Sequence, residues 1–419
     1  MAGSMSYNQL KDDEETSALR LVIPWLWLRR GTAVVLITVA LLLVLVFRPS
    51  QATQSLRASS CNEASASEVH LWDPQLRPEF VNEPLGKKMV RYFDGYLMAR
   101  AGVDENATFQ ANVNRALSSD VMFESIGFGP GGLPLVTVGR KAWTNSGEEK
   151  QFRKAFGSTE LFTQMMFFGE DDTATTTSYG TLLWSGELFG IPAPNKWIEL
   201  RVCDFYKIKN DPQGIHNGLI TYNFMMIDWA DVMHRSGHAV LPPATLEDGF
   251  VLPPSANDGV PAPFSILAQS RDIETARRVT MGILKDDWAG MGSGQHWLHQ
   301  NITFYGPRGI GLARDAATFR EHILKPFQAA FANRSLESEI LTCEGNYCAA
   351  CGHIRGVHAA TWLGLTPTFK PVSIRYGMHY RIVGDKAAEG WALFDIASLF
   401  NQLGLDFFAS AARGSIQSL

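Results

Sequence analysis

The longest unbroken apolar run is Gly31–Phe47 (GTAVVLITVALLLVLVF), 17 residues without a charge. At about 1.5 Å of rise per residue it just reaches the length a helix needs to cross a bilayer. Arg29 and Arg30 abut its start, Arg48 alone abuts its end, and Trp25 and Trp27 stand where interfacial aromatics collect. The pattern predicts residues 1–30 as a cytosolic tail, 31–47 as a single transmembrane helix, and the remainder as lumenal or extracellular. A signal peptide cleaved after Ser50-Gln51-Ala52 is the competing reading. Residues 48–83 show no sustained apolar period and read as a tether.

Beyond the tether the apolar pattern repeats itself. RVCDFYKI (Arg201–Ile208) and RYGMHYRI (Arg375–Ile382) both alternate as strands do. Each leads to an Asp-x8-Gly segment with matching apolar positions, Asp228–Gly237 and Asp395–Gly404, in which the aspartate stands where a helix N-cap belongs. Upstream, Phe152-x3-Phe156 matches Phe327-x3-Phe331 as an i, i+4 helix pair, and LSSDVMF (Leu117–Phe123) matches LHQNITF (Leu298–Phe304). Each copy therefore runs helix, strand, Gly-rich turn, helix, long strands. The expected class is α+β, a curved mixed or antiparallel sheet wrapped around helices, with domains at 84–237 and 271–412 and a Pro-rich connector at 238–270.

Composition narrows the function classes. The net charge is −5, from 37 basic and 42 acidic residues, so no basic excess exists to hold a nucleic-acid backbone. Aromatic residues reach 11%, enough to line pockets. Asn106, Asn301 and Asn333 open glycosylation triplets compatible with a secretory compartment. Cys343, Cys348, Cys351 and His353 lie within one short stretch, which leaves a local disulfide, a zinc site and unpaired thiols as readings.

Several of these segments together resemble the SnoaL-like polyketide cyclase and ester cyclase group of the nuclear transport factor two-like superfamily. Asn301–Ser335 carries aromatic-Gly-Pro-x-Gly-Ile-Gly and then His-x3-Pro-Phe-x3-Phe; Trp184–Ile208 and Tyr380–Asp395 are similar to the family's strand pair and its ending. The resemblance implies a cone-shaped α+β barrel in each copy, entered at the wide end, and a cyclase that closes rings by proton transfer without metal or cofactor. It places the family's aspartate on Ala392 and Met225 and the neighbouring histidine on Met378 and Asp204, so neither copy keeps the pair.

The remaining candidates are weighed against ordinary roles. Asp395, His322 and His379 are the candidate acid/base residues, and Tyr305, Trp391, Arg308 and Asp228 the candidate ligand-binding ones. Against these stand helix capping for Asp395 and Asp228, core packing for Trp391, turn chemistry for Tyr305–Gly311, and a strand face of undetermined direction for His379. No metal site is assigned. The second copy is expected to hold a small hydrophobic oxygenated, polyketide-like ligand and to cyclise, isomerise or hydrolyse it, while the first looks more structural than reactive. The alternative is a non-catalytic module that binds a ligand or forms a homodimer through the same cones.

Overall fold

A computed structural model describes residues 83–98, 107–145, 147–156, 161–238, 240–246, 269–292 and 296–413. The expected anchor at 31–47, its flanks and Asn106 lie outside the described residues. Among the described residues no helix is long and apolar enough to cross a membrane.

The alternating segments form two six-stranded mixed sheets. The first contains β1 (Leu117–Ile126), β2 (Leu135–Val138), β3 (Leu161–Gly169), β4 (Thr173–Trp184), β5 (Lys196–Ile215) and β6 (Gly218–Ile227), in the order β2-β1-β6-β5-β4-β3. The second contains β7 (Leu298–Tyr305), β8 (Leu312–Ala313), β9 (Phe331–Glu344), β10 (Tyr347–His358), β11 (Pro371–Val383) and β12 (Lys386–Phe394), in the equivalent order β8-β7-β12-β11-β10-β9. In each sheet the first and last long strands run parallel, β1 with β6 and β7 with β12, and the other neighbours are antiparallel.

Local signals set the helix ends. Asp228 and Asp395 cap Trp229–Ser236 and Ile396–Leu403, accepting from Asp231 N (3.2 Å) and Ser398 N (2.9 Å). Gly237 and Gly404 end these helices at φ of 99° and 102°, a left-handed conformation costly to any residue with a Cβ. The phenylalanine pairs pack as expected, with ring centroids 4.7 Å apart for Phe152 and Phe156 and 5.0 Å for Phe327 and Phe331. Two helices, Leu85–Tyr92 and Gln269–Gly282, each continue into a six-residue π-turn, Phe93–Met98 and Ile283–Trp288.

The outer faces of the two sheets pack on each other and form one apolar layer, with Phe168, Phe205 and Phe224 from the first sheet against Tyr347, Trp391 and Leu393 from the second. The contacts are reciprocal. Lys87 reaches Glu344 (2.9 Å) and Arg277 reaches Glu170 (2.7 Å); Glu344 also accepts from Gly169 N (3.1 Å) and Glu170 from Cys343 N (2.8 Å). Arg201 donates to the carbonyls of Tyr305 (3.4 Å) and Gly306 (2.7 Å), while Arg375, at the matching position, pairs with Glu124 at the end of β1. Phe205 and His379 are themselves matching residues and touch, ring to ring, at 5.1 Å. Such exchange of equivalent contacts defines an isologous interface, here within one chain. The two sheet faces are thus covered by each other.

Candidate active site

The direction of the strands decides which side chains enter the cones. In β11, Tyr376, Met378 and Tyr380 join the inner core, so His379 points the other way, into the layer between the sheets. There its Nε2 meets Thr175 Oγ1 at 2.8 Å, and burial drives its pKa down to about 3, leaving it neutral. Trp391 and Tyr305 stack at 6.0 Å in that same layer rather than in a cone. Asp228 caps a helix, accepts from Arg308 N (3.0 Å) and lies 3.9 Å from Arg201. Asp395 is buried as a cap, and that burial raises its pKa to about 7. His322 is exposed at the mouth of the second cone. The structure therefore does not gather the seven residues into one site.

Aromatic rings pack the second cone on the inner side of Trp288. Trp288 touches the rings of Phe394 (5.1 Å), Phe327 (5.2 Å), Phe319 (5.9 Å) and Phe304 (6.1 Å). Its Nε1 donates to Tyr380 Oη (3.3 Å), which in turn points at Met378 Sδ (3.4 Å). Gly390 has no room for a side chain: a Cβ there would lie 2.8 Å from the Phe304 ring and 2.9 Å from that of Tyr380.

The first cone differs at the same level. β5 sends Val202, Asp204, Tyr206 and Ile208 inwards on one phase, and the register sets Asp204 opposite Met225 and Thr176, and Tyr206 opposite Asn223. Asn223 Nδ2 donates to Asp204 Oδ1 (3.2 Å), and Tyr206 Oη donates to Asp94 Oδ1 (3.1 Å), which arrives from the π-turn. Below this layer are Phe93, Phe109 and Phe123; above it are Phe128, Phe152 and Trp184. Asp94, Asp204 and Met225 nevertheless keep partial solvent access.

The electrostatics follow from that sandwich. Burial raises Asp204 to about 8, with the Asp94 charge pushing it further and the Asn223 hydrogen bond opposing. Burial likewise raises Asp94 to about 7, opposed by the hydrogen bond from Tyr206. Both carboxyls are held towards the protonated form, Asp204 further than Asp94, and a pair whose pKa values are raised unequally can give one proton and take another. In the second cone these positions are Met378, Tyr380, Gly390 and Leu284, which cannot transfer a proton near neutrality. In the second copy ring packing takes the place of this polar layer.

Among Cys343, Cys348 and Cys351 the first two form a disulfide across the β9–β10 hairpin, and Cys351 is a buried free thiol. His353 binds Glu339 (3.0 Å) and Ser373 Oγ (2.8 Å). No cluster of metal-ligating residues occurs among the described residues.

Two α+β units with internal helices and mixed six-stranded sheets are the class that this architecture defines. Residues 287–403 match the family model of the SnoaL-like polyketide cyclases. No curated protein matches the chain in sequence. Among solved structures, AclR, a putative hydroxylase from Streptomyces galilaeus, is 18% identical over 32% of this chain and 97% of its own, with a TM-score of 0.28. Wild-type IdmH, a putative polyketide cyclase from Streptomyces antibioticus, is 18% identical over 31% of this chain and 99% of its own, also at 0.28. An LEH-like epoxide hydrolase from M. tuberculosis is 10% identical over 32% of this chain and 91% of its own, at 0.26.

Proposed function

We propose that the first cone binds a small, largely apolar, oxygenated organic molecule and moves a proton on it, with Asp204 as the acid and Asp94 as the base. The observation that carries this reading is the pair of burial-raised carboxyls in a solvent-reachable layer between two apolar ones. Apolar walls with a few convergent polar groups are the usual make-up of a small-molecule site. In the simplest step Asp94 removes a proton from a carbon beside a carbonyl while protonated Asp204 gives its proton to the carbonyl oxygen. The product is an enol, and each carboxyl ends in the state the other began in. Isomerisation and ring closure both start this way. Tyr206 and Asn223 orient the two carboxyls. The second cone, packed around Trp288 and lacking these groups, serves as the wall against which the first is built.

A membrane-anchored, non-cytosolic location belongs to the same proposal. The Cys343–Cys348 disulfide supports it, since such bonds persist in oxidising compartments.

The test is mass spectrometry of small molecules retained by the full chain, purified in detergent from its own cells, beside Asp204→Asn and Asp94→Asn. The wild type is expected to carry an oxygenated apolar molecule, and either variant to accumulate its unconverted form with turnover reduced by about 100-fold or more. A wild-type protein that carries nothing, or turnover untouched by Asp204→Asn, overturns the reading.

A further inference from the structure

The mouths of the two cones are closed differently, and the difference leaves a cavity. In the first copy Phe408, from the segment that follows the second copy's last strand and helix, seats against Phe189 at 4.3 Å and Trp229 at 5.6 Å. The matching residues in the second copy are Leu241 and Leu363, both of which lie over Gly309. Two leucines take the place of two phenylalanines. Beside them is an open pocket of about 240 Å³.

We propose that this pocket is a second binding site, for a single-ring apolar molecule carrying one anionic group, independent of the chemistry assigned to the first cone. Trp288, Phe327, Trp362, Pro242, Pro243 and Pro326 form its apolar walls. The volume lies between the roughly 150 Å³ of a cavity that holds benzene and the roughly 300 Å³ at which drug-sized sites begin, so one ring with a short substituent fits. The roof is built rather than loosely draped. Leu312 N donates to Leu246 O (2.9 Å), and Gly311, at φ 89°, has a backbone against which Leu246 O and Ala244 Cβ lie so close that any Cβ would collide.

Besides the indoles of Trp288 and Trp362, the polar side chains on the lining are His322, Thr361 and Thr245, the last three on the solvent side, and among the described residues no carboxylate lines the pocket. An imidazole donates an N–H in either protonation state and adds positive charge when protonated. Asp315, whose charge reaches His322, is already taken up by Thr318, whose N and Oγ1 donate to it at 2.7 and 2.9 Å. An acid's apolar end would enter against the tryptophans with its carboxylate at His322.

The probes are phenylacetate and its neutral analogue phenylacetamide, titrated into the full chain by calorimetry and ligand-observed NMR. Phenylacetate is expected to bind saturably, and His322→Ala, an exposed substitution, to weaken it by about fivefold while leaving the amide within about twofold. Thr361→Trp, also exposed, fills the pocket and is expected to abolish both. Asp204→Asn is expected to change neither, which separates this site from the first cone. Absence of saturable phenylacetate binding, binding that survives Thr361→Trp, or equal loss of acid and amide in His322→Ala overturns the assignment.

Discussion

A carboxyl whose pKa is about 8 in the folded chain and near 3.8 when exposed ties stability to pH. Folding takes up a proton anywhere between those values. The contribution of Asp204 is fully present below about pH 4 and is lost as pH rises through 8, at up to about 1.4 kcal/mol per pH unit. Asp94 and Asp395, both near 7, act in the same direction. Asp204→Asn carries no titratable group, so its stability relative to wild type should rise steadily from pH 5 to pH 8. Urea unfolding at several pH values measures this, and parallel curves for the two proteins would show that Asp204 is an ordinary ionised carboxylate. The position was partly visible in sequence: Asp204 is the lone acid on the phase shared by Val202, Tyr206 and Ile208, and it falls where the family resemblance puts a histidine. Its partner Asp94 was not visible, because only the π-turn brings it to the level of β5.

At the scale of elements, the two Asp-x8-Gly helices share their caps but not their surroundings. Asp395 satisfies one backbone amide, and its removal should cost about 1 kcal/mol, the usual worth of an N-cap. Asp228 caps its helix, accepts from Arg308 N and faces the buried Arg201 guanidinium. Removing it leaves a buried charge short of its partner, for which about 3 to 5 kcal/mol is usual. Asp228→Ala is therefore expected to be clearly less stable than Asp395→Ala by denaturant midpoint; equal losses would mean that capping is the whole role of both. The capping itself was legible, since Asp before a helix-like run and Gly after it are local signals. The phase of β11 was not. An alternating strand buried on both sides gives no sign of which face meets the helices, and His379 is as buried as Met378.

At the scale of the molecule, the repeat could be read from matched segments, but not what each copy does for the other. The sequence aligns Arg201 with Arg375 without indicating that each crosses to the first strand of the opposite copy, because that depends on the relative placement of two sheets far apart along the chain. The same reciprocity governs the mouths. Leu241 continues from the first copy onto the second, and Phe408 continues from the second onto the first. Phe408 lies against Phe189, Trp229 and Phe407, so Phe408→Ala leaves a cavity in a packed aromatic layer, a loss of about 3 to 5 kcal/mol. The residue belongs to the second copy by sequence, yet the damage should appear in the first. Hydrogen exchange should rise in the helix Trp229–Ser236 and around Leu188–Ile191, while β10 and β11 keep their protection. Exchange that rises mainly in β10 and β11 would mean that Phe408 supports its own copy, and that the lid over the first cone lies elsewhere.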